Sequence, residues 1–178
     1  MKFKVFRFNK VKSTNNTAIK IIKTSDFDYG MIISENQSKG KGQYGKKWIS
    51  YKGNLFVSFF FNLENFDINL KKFTKLNCLL VKKLLTSYYK NRIIFKKPND
   101  LLIDKKKICG ILQEKIEKSG IEYLVVGIGL NLTKSPNIRN YPTTNLYKIT
   151  KQKINKKKFE KDLKITFEKF LSKYYKTN

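Results

Sequence analysis

The chain contains no histidine, so imidazole is unavailable for any role. A histidine-based catalytic triad, a histidine-rich metal site and a histidine general base are therefore excluded. Any chemistry must be carried by Lys, Asp, Asn, Gln and backbone groups. Cysteine is nearly as scarce. Cys78 lies in a helical pattern and Cys109 in an apolar, strand-like one, far apart in sequence, which predicts a reduced, packed pair and a reducing compartment. Acidic residues are few, 13 against 39 basic ones, for a formal charge of +26. Such an excess ordinarily suggests nucleic acid or an anionic surface as partner. Arginine, however, is limited to Arg7, Arg92 and Arg139, whereas a selected nucleic-acid surface draws on arginine for bidentate contacts. The abundance of Lys, Asn and Ile fits an A/T-rich gene, and mutational bias accounts for much of the charge. No apolar run approaches the roughly eighteen residues of a membrane span. The first ten residues alternate like a strand and lack a signal-peptide core, so no membrane association and a cytoplasmic location are expected.

With 178 residues, 40% of them hydrophobic, the chain has the size of one domain with a proper core, and residues 1–178 are expected to form it. The stretch Glu35–Ser50, ENQSKGKGQYGKKWIS, stands out. Gly40, Gly42 and Gly45 alternate with Lys39, Lys41, Lys46 and Lys47, and the lone Trp48 closes the run. Glycines spaced by lysines predict a flexible cationic loop suited to an anion. Trp48 adds a flat face for an aromatic or purine ring.

Lys2 to Phe8 has the period of a half-buried strand. The cluster Ser13-Thr14-Asn15-Asn16-Thr17 then precedes Ala18, Ile19, Ile21 and Ile22, so one of its small polar residues should cap a short helix. The surplus supplies hydroxyl and amide groups for a small polar ligand, or is simply loop composition. Gly30 to Ser34 and Asn54 to Phe61 read as buried strands. A long amphipathic helix is expected from Asp67 through Tyr88. Arg92 to Lys96 reads as a strand leading into Pro98-Asn99-Asp100, where proline fixes the geometry ahead of Asn99 and Asp100. A basic turn, Asp104 to Lys107, precedes the strand Ile108 to Leu112, extended by Gln113 and Glu114. Gly110 inside it suggests close approach by a ligand or another backbone. Ser119-Gly120 turns the chain into Ile121 to Leu132, which ends in Gly127-x-Gly129-x-Asn131. Without a third glycine and a following helix, this is not a dinucleotide fingerprint. A last helix is expected over Asn155 to Tyr175. The order predicts an α+β fold, a mixed or antiparallel sheet with helices covering one side.

Five short motifs, in order, resemble the catalytic domain of biotin protein ligases. They are Ser13-Thr14-Asn15, QSKGKGQYGKKW from Gln37 to Trp48, KKPND from Lys96 to Asp100, KKICGILQE from Lys106 to Glu114, and VVGIGLN from Val125 to Asn131. The resemblance implies a sheet akin to that of class II aminoacyl-tRNA synthetases. It also implies a two-step reaction in which biotin and Mg-ATP give biotinyl-adenylate and pyrophosphate. A lysine of an acceptor, the biotin carboxyl carrier domain of acetyl-CoA carboxylase or a similar protein, then takes the biotinyl group.

On this resemblance Lys107, Asp100 and Asn99 are the expected catalytic residues. Lys107 meets the biotin carboxylate and α-phosphate, and Asp100 orients or deprotonates the acceptor lysine. Ser13, Thr14, Asn15, Gln37, Lys41, Gly42, Gln43, Lys107 and Gly110 are expected around biotin. Gly40, Lys41, Gly42, Gln43, Trp48 and Asn131 are expected around ATP. No residues are assigned to a metal. Two positions depart from the family pattern: Gln43 replaces the second arginine of G-R-G-R, and Lys97 replaces the tryptophan of K-W-P-N-D. A neutral amide makes a weaker phosphate contact than a guanidinium, so the adenylate is expected to escape more readily. With about twelve residues before Ser13 and little after the last helix, neither a helix-turn-helix domain nor a C-terminal β domain is expected. That implies a minimal ligase without specific DNA binding, for which a homodimer is one open oligomeric state. The rival readings are a lipoate or octanoate ligase, whose histidine-containing loop is missing here, and a degenerate, non-catalytic basic nucleic-acid-binding domain.

Overall fold

A computed structural model describes residues 1–176. In chain order the elements are β1 (Lys4–Val11), α1 (Thr14–Thr24), β2 (Tyr29–Gln37), β3 (Leu55–Asn62), α2 (Leu70–Tyr88), β4 (Ile94–Lys96), β5 (Asp100–Ile103), β6 (Lys106–Lys118), β7 (Ile121–Leu130), α3 (Leu146–Thr150) and α4 (Lys156–Leu171). The seven strands form one sheet in the order β1-β2-β3-β7-β6-β5-β4. Only β1 and β2 run parallel, because α1 is the crossover between them. All other neighbours are antiparallel, so the sheet is mixed and the fold is α+β, as the sequence predicts.

Every residue of β3 is buried, since both of its faces are covered. Phe59 and Phe61 point into the larger core with Phe73 of α2 and Phe159, Leu163 and Phe167 of α4. Phe59 stacks on Phe167 at 4.2 Å between ring centroids. The intervening Phe60 points the other way, to Ala18 and Ile22 of α1 with Ile32, Tyr123 and Val125. The sequence order predicts helices on one side only, and the structure departs from that prediction. α2 and α4 take one face and α1 takes the other, leaving space beside α1 on that second face.

Two-residue turns set the registers of the strands that carry the site. Ser119 and Gly120 both have positive φ, as do Asp104 and Lys105, the geometry that matches the twist of paired strands. The β5–β6 turn thus consumes only two of the residues expected in a basic turn. Lys106 and Lys107 belong to β6. β5 has no counterpart among the expected strands, because Leu101, Leu102 and Ile103 make too short a run to register as one. α3, five residues long, is missed for the same reason. α2 and α4 are capped by Asn69 and Asn155, whose side chains accept from the N–H groups of Lys71 and Lys158.

Cys78 and Cys109 are both free and fully buried. Burial, with the Asp100 carboxylate nearby, pushes the Cys78 thiol up to about 12, and burial pushes Cys109 up as well. Both stay protonated thiols across the neutral range, and alkylation requires the thiolate. Native protein treated with iodoacetamide at pH 8 should therefore label far more slowly than unfolded protein. Rapid native labelling, followed by mass spectrometry, would contradict this burial.

Candidate active site

The second face of the sheet, beside α1, is stripped of side chains where β6 meets β7. Gly110 stands opposite Gly129 in the antiparallel register, and Leu112 opposite Gly127. The space is used by side chains from elsewhere. A methyl group at Gly129 would lie 2.5 Å from the Trp48 ring, one at Gly110 2.8 Å from it, and one at Gly127 2.2 Å from Asn15 Oδ1. None of the three has positive φ; what each position requires is the absence of a Cβ.

The glycine and lysine segment forms the wall above this floor. It is a small closed hairpin instead of an open loop. The Trp48 N–H donates to the Gly40 carbonyl at 2.9 Å and that of Gly42 to the Lys46 carbonyl, while Lys41 pairs with Lys47. Tyr44 and Gly45 turn the tip with φ of 55° and 72°. The hairpin lays the Trp48 indole flat on Gly110 and Gly129. Its Nε1 is buried without a hydrogen-bond partner among the described residues.

The N-terminus of α1 forms the third side. Ser13 occupies the N-cap but makes no side-chain cap bond. Gln37 serves instead: its Oε1 accepts from the Thr14 N–H at 2.8 Å and from the Thr14 hydroxyl, and its Nε2 donates to Ser50 Oγ. Caps of this kind contribute about 1 kcal/mol. Asn15 is fixed from two directions. Ser58 Oγ donates to its Oδ1 at 2.6 Å, and its Nδ2 donates to Glu114 Oε2 at 2.7 Å. The other oxygen of Glu114 lies 3.6 Å from Lys41 Nζ, which ties the hairpin to β6. The small polar cluster is thus one rigid, hydrogen-bonded corner, with the Ser13 hydroxyl making no hydrogen bond among the described residues.

At the open end, Lys107 Nζ lies 2.7 Å from Asp100 Oδ1, with the two side chains 19% and 12% exposed. At this degree of burial, removing one partner of an ion pair costs about 3–5 kcal/mol. The ammonium group also lies over the Trp48 ring at 5.4 Å, a cation–π arrangement. Tyr141 donates its hydroxyl to Asp100 Oδ2. Burial, that hydrogen bond and the Asp100 charge together raise the Tyr141 phenol above its ordinary range.

Ser13, Thr14, Asn15, Gln37, Lys41, Gly42, Gln43, Trp48, Asn99, Lys107 and Gly110 all line one cleft, with Ile111, Leu112, Gly127, Ile128 and Gly129 completing it. Counting its open mouth, it encloses about 450 Å³ of empty space. Asp100 reaches the cleft through Lys107. Besides Asp100, two expected residues, Asn131 and Gly40, fall outside the lining. The Asn131 side chain is consumed by Asn54 and by the Thr144 carbonyl, fastening the end of β7 to the segment before α3. Gly40 is buried where a Cβ would lie 2.5 Å from the Trp48 carbonyl; it shapes the hairpin without facing the cleft. The structure adds Gly127, Gly129, Ser58, Glu114 and Tyr141. The glycines and Glu114 sit inside motifs visible in the sequence. Ser58 and Tyr141 carry no local signal, since their partners Asn15 and Asp100 lie 43 and 41 residues away in the chain. Among the described residues no group of three or more Cys, Asp or Glu side chains gathers to hold a metal. Among the described residues no helix is long and apolar enough to cross a membrane.

The profile of the biotin/lipoate A/B protein ligase family matches residues 6–131. The chain is 27% identical, over 89% of its length, to a bifunctional ligase/repressor from Bacillus subtilis, of which it covers 51%. It is 31% identical over 56% of its length to the bifunctional ligase/repressor of Escherichia coli, covering 32% of that protein. The chain thus spans about half of the first relative and about a third of the second. Among solved structures it superposes on a biotin protein ligase from Aquifex aeolicus in complex with biotin and ATP, with a TM-score of 0.80 and 28% identity, over 95% of this chain and 70% of that one.

The bare floor has a direct test, since Trp48 is the only tryptophan in the chain. Gly129→Ala forces the indole off the sheet, and its fluorescence maximum should move to the red while the melting transition stays cooperative. An unchanged emission maximum would contradict the packing described.

Proposed function

Because this chain belongs to the biotin/lipoate A/B protein ligase family, we propose that it activates biotin with ATP as biotinyl-adenylate and transfers the biotinyl group to a lysine of a biotin carboxyl carrier domain. The observation that carries this reading is the cleft itself. A rigid polar corner at Ser13, Thr14 and Asn15 and an ammonium group at Lys107 stand at opposite ends of an apolar, glycine-floored trough. Biotin has the matching layout, with a ureido ring at one end, an apolar ring and chain between, and a carboxylate at the other.

In the first step a carboxylate oxygen of biotin attacks the α-phosphorus of ATP, and the bond to the pyrophosphate oxygen breaks. Lys107 meets the negative charge that gathers between carboxylate and phosphate, and charge-aimed donors of this type contribute about 3 kcal/mol to a transition state. Mg²⁺ would enter with ATP and would offset part of the phosphate charge. Lys41, Gly42 and Gln43 on the hairpin and the face of Trp48 are the groups offered to the adenylate. In the second step the acceptor amine attacks the acyl carbon and AMP leaves. Asp100, beside Lys107, is the carboxylate placed to orient that amine or take its proton, and Asn99 lines the cleft next to it. The Ser13 hydroxyl, without a partner among the described residues, favours biotin over lipoate or octanoate, which carry no ureido group to meet it.

Pyrophosphate release with ATP should appear with biotin and stay at background with lipoate or octanoate offered separately. Lys107→Ala should lower the biotin-dependent rate by about a hundredfold or more while the protein remains folded. A wild-type chain that responds to lipoate, or to none of the three, would overturn the reading. Gln43 supplies a second test. Gln43→Arg replaces a neutral contact with a charge-assisted one, so biotinyl-adenylate should dissociate more slowly from the variant than from the natural chain. Equal dissociation rates would exclude a role for Gln43 in holding it.

A further inference from the structure

Tyr141 lies outside every motif, yet three separate contacts bring it to the reacting end of the cleft. Its hydroxyl donates to Asp100 Oδ2, leaving Oδ1 for Lys107 Nζ at 2.7 Å. Its ring carries the Lys107 ammonium at 5.6 Å and the Lys96 ammonium at 4.8 Å. The backbone delivers it there. The Lys107 N–H donates to the Pro142 carbonyl at 2.8 Å, and the Thr144 N–H donates to the Lys107 carbonyl at 2.9 Å, so Lys107 and Thr143 pair as parallel neighbours. The segment holding Tyr141 is therefore laced to Lys107.

We propose that Tyr141 is a positioning residue: by holding one oxygen of Asp100 it fixes the other against Lys107, and so sets where the ammonium group stands when the acyl group and phosphate arrive. The mechanical reason is that Asp100 is only 8% exposed. Without the phenol, the second oxygen of a largely buried carboxylate has no partner, and the side chain turns toward water to find one. That rotation removes the oxygen that anchors Lys107. Tyr141 acts through Asp100 and has no need to touch the substrate.

The kinetic half of this inference rests on the ligase reading above; the structural half does not, and the experiment separates them. Intact protein is treated with an amine-acetylating reagent at pH 8, and labelling of Lys107 is read by mass spectrometry against exposed Lys72 of α2. In Tyr141→Phe, Lys107 should label at least threefold faster relative to Lys72. The kcat for biotin-dependent turnover should fall about tenfold, with KM for biotin and ATP within twofold of the natural values. Asp100→Asn should free Lys107 to a similar extent, and adding Tyr141→Phe to it should then change labelling no further. A residue that merely supported the fold would instead shift the melting transition and add its effect to that of Asp100→Asn. Natural labelling of Lys107 in Tyr141→Phe overturns the inference, as does unchanged kcat in a chain that turns over biotin. Raised Lys107 labelling in a chain that releases no pyrophosphate with biotin sustains the positioning role and removes the ligase reading.

Discussion

The site depends on a contact that only bare backbone permits. Side chains from α1 and from the glycine and lysine hairpin lie directly against β6 and β7, at distances a single methyl group would forbid. Trp48 rests on Gly110 and Gly129, and Asn15 rests on Gly127. These positions are neighbours across two strands by virtue of antiparallel register, so the clearing is a property of the β6–β7 hairpin and of its Ser119-Gly120 turn. A slip of that register by one residue would place side chains where the floor must be open.

Electrostatics divides the cleft into two ends of different character. The α1 corner is neutral, a closed set of amide and hydroxyl groups with Glu114 anchoring Asn15 from behind and reaching toward Lys41. The opposite end is cationic, with the Lys107 charge partly balanced by Asp100 and spread over two aromatic faces. The large formal charge of the chain plays little part in this. Most of its lysines lie elsewhere, and exposed charges a Debye length apart are screened at physiological salt.

The sequence reveals the fold where elements are long or strongly patterned. β3 is buried end to end, α2 and α4 show their helical stripe, and the β6–β7 hairpin announces itself through Ser119-Gly120. Short elements escape. β5 has four residues and α3 five, too few for periodicity to emerge, and the turn between β5 and β6 hides among lysines. The placement of α1 on the opposite face from α2 and α4 is likewise invisible, because Phe60 and its neighbours Phe59 and Phe61 are equally apolar whichever helix they meet. Motif residues are legible as candidates, but their duties are not. Gln37 is engaged as a helix cap, Asn131 fastens β7 to the segment before α3, and Gly40 shapes a hairpin. Tyr141 gives no local signal, since its importance comes from a direct contact with Asp100, 41 residues away in the chain.

On the proposed reading, the neutral corner and the Lys107 ammonium group grip the two ends of one small molecule. The most direct measurement is a crystal structure of the chain with a non-hydrolysable biotinyl-adenylate analogue. The ureido ring should lie within hydrogen-bond distance of Ser13, Thr14 or Asn15 and the acyl-phosphate linkage within reach of Lys107 Nζ, over Gly110. An analogue bound with its phosphate remote from Lys107, or with its ureido ring away from the α1 N-terminus, would contradict it.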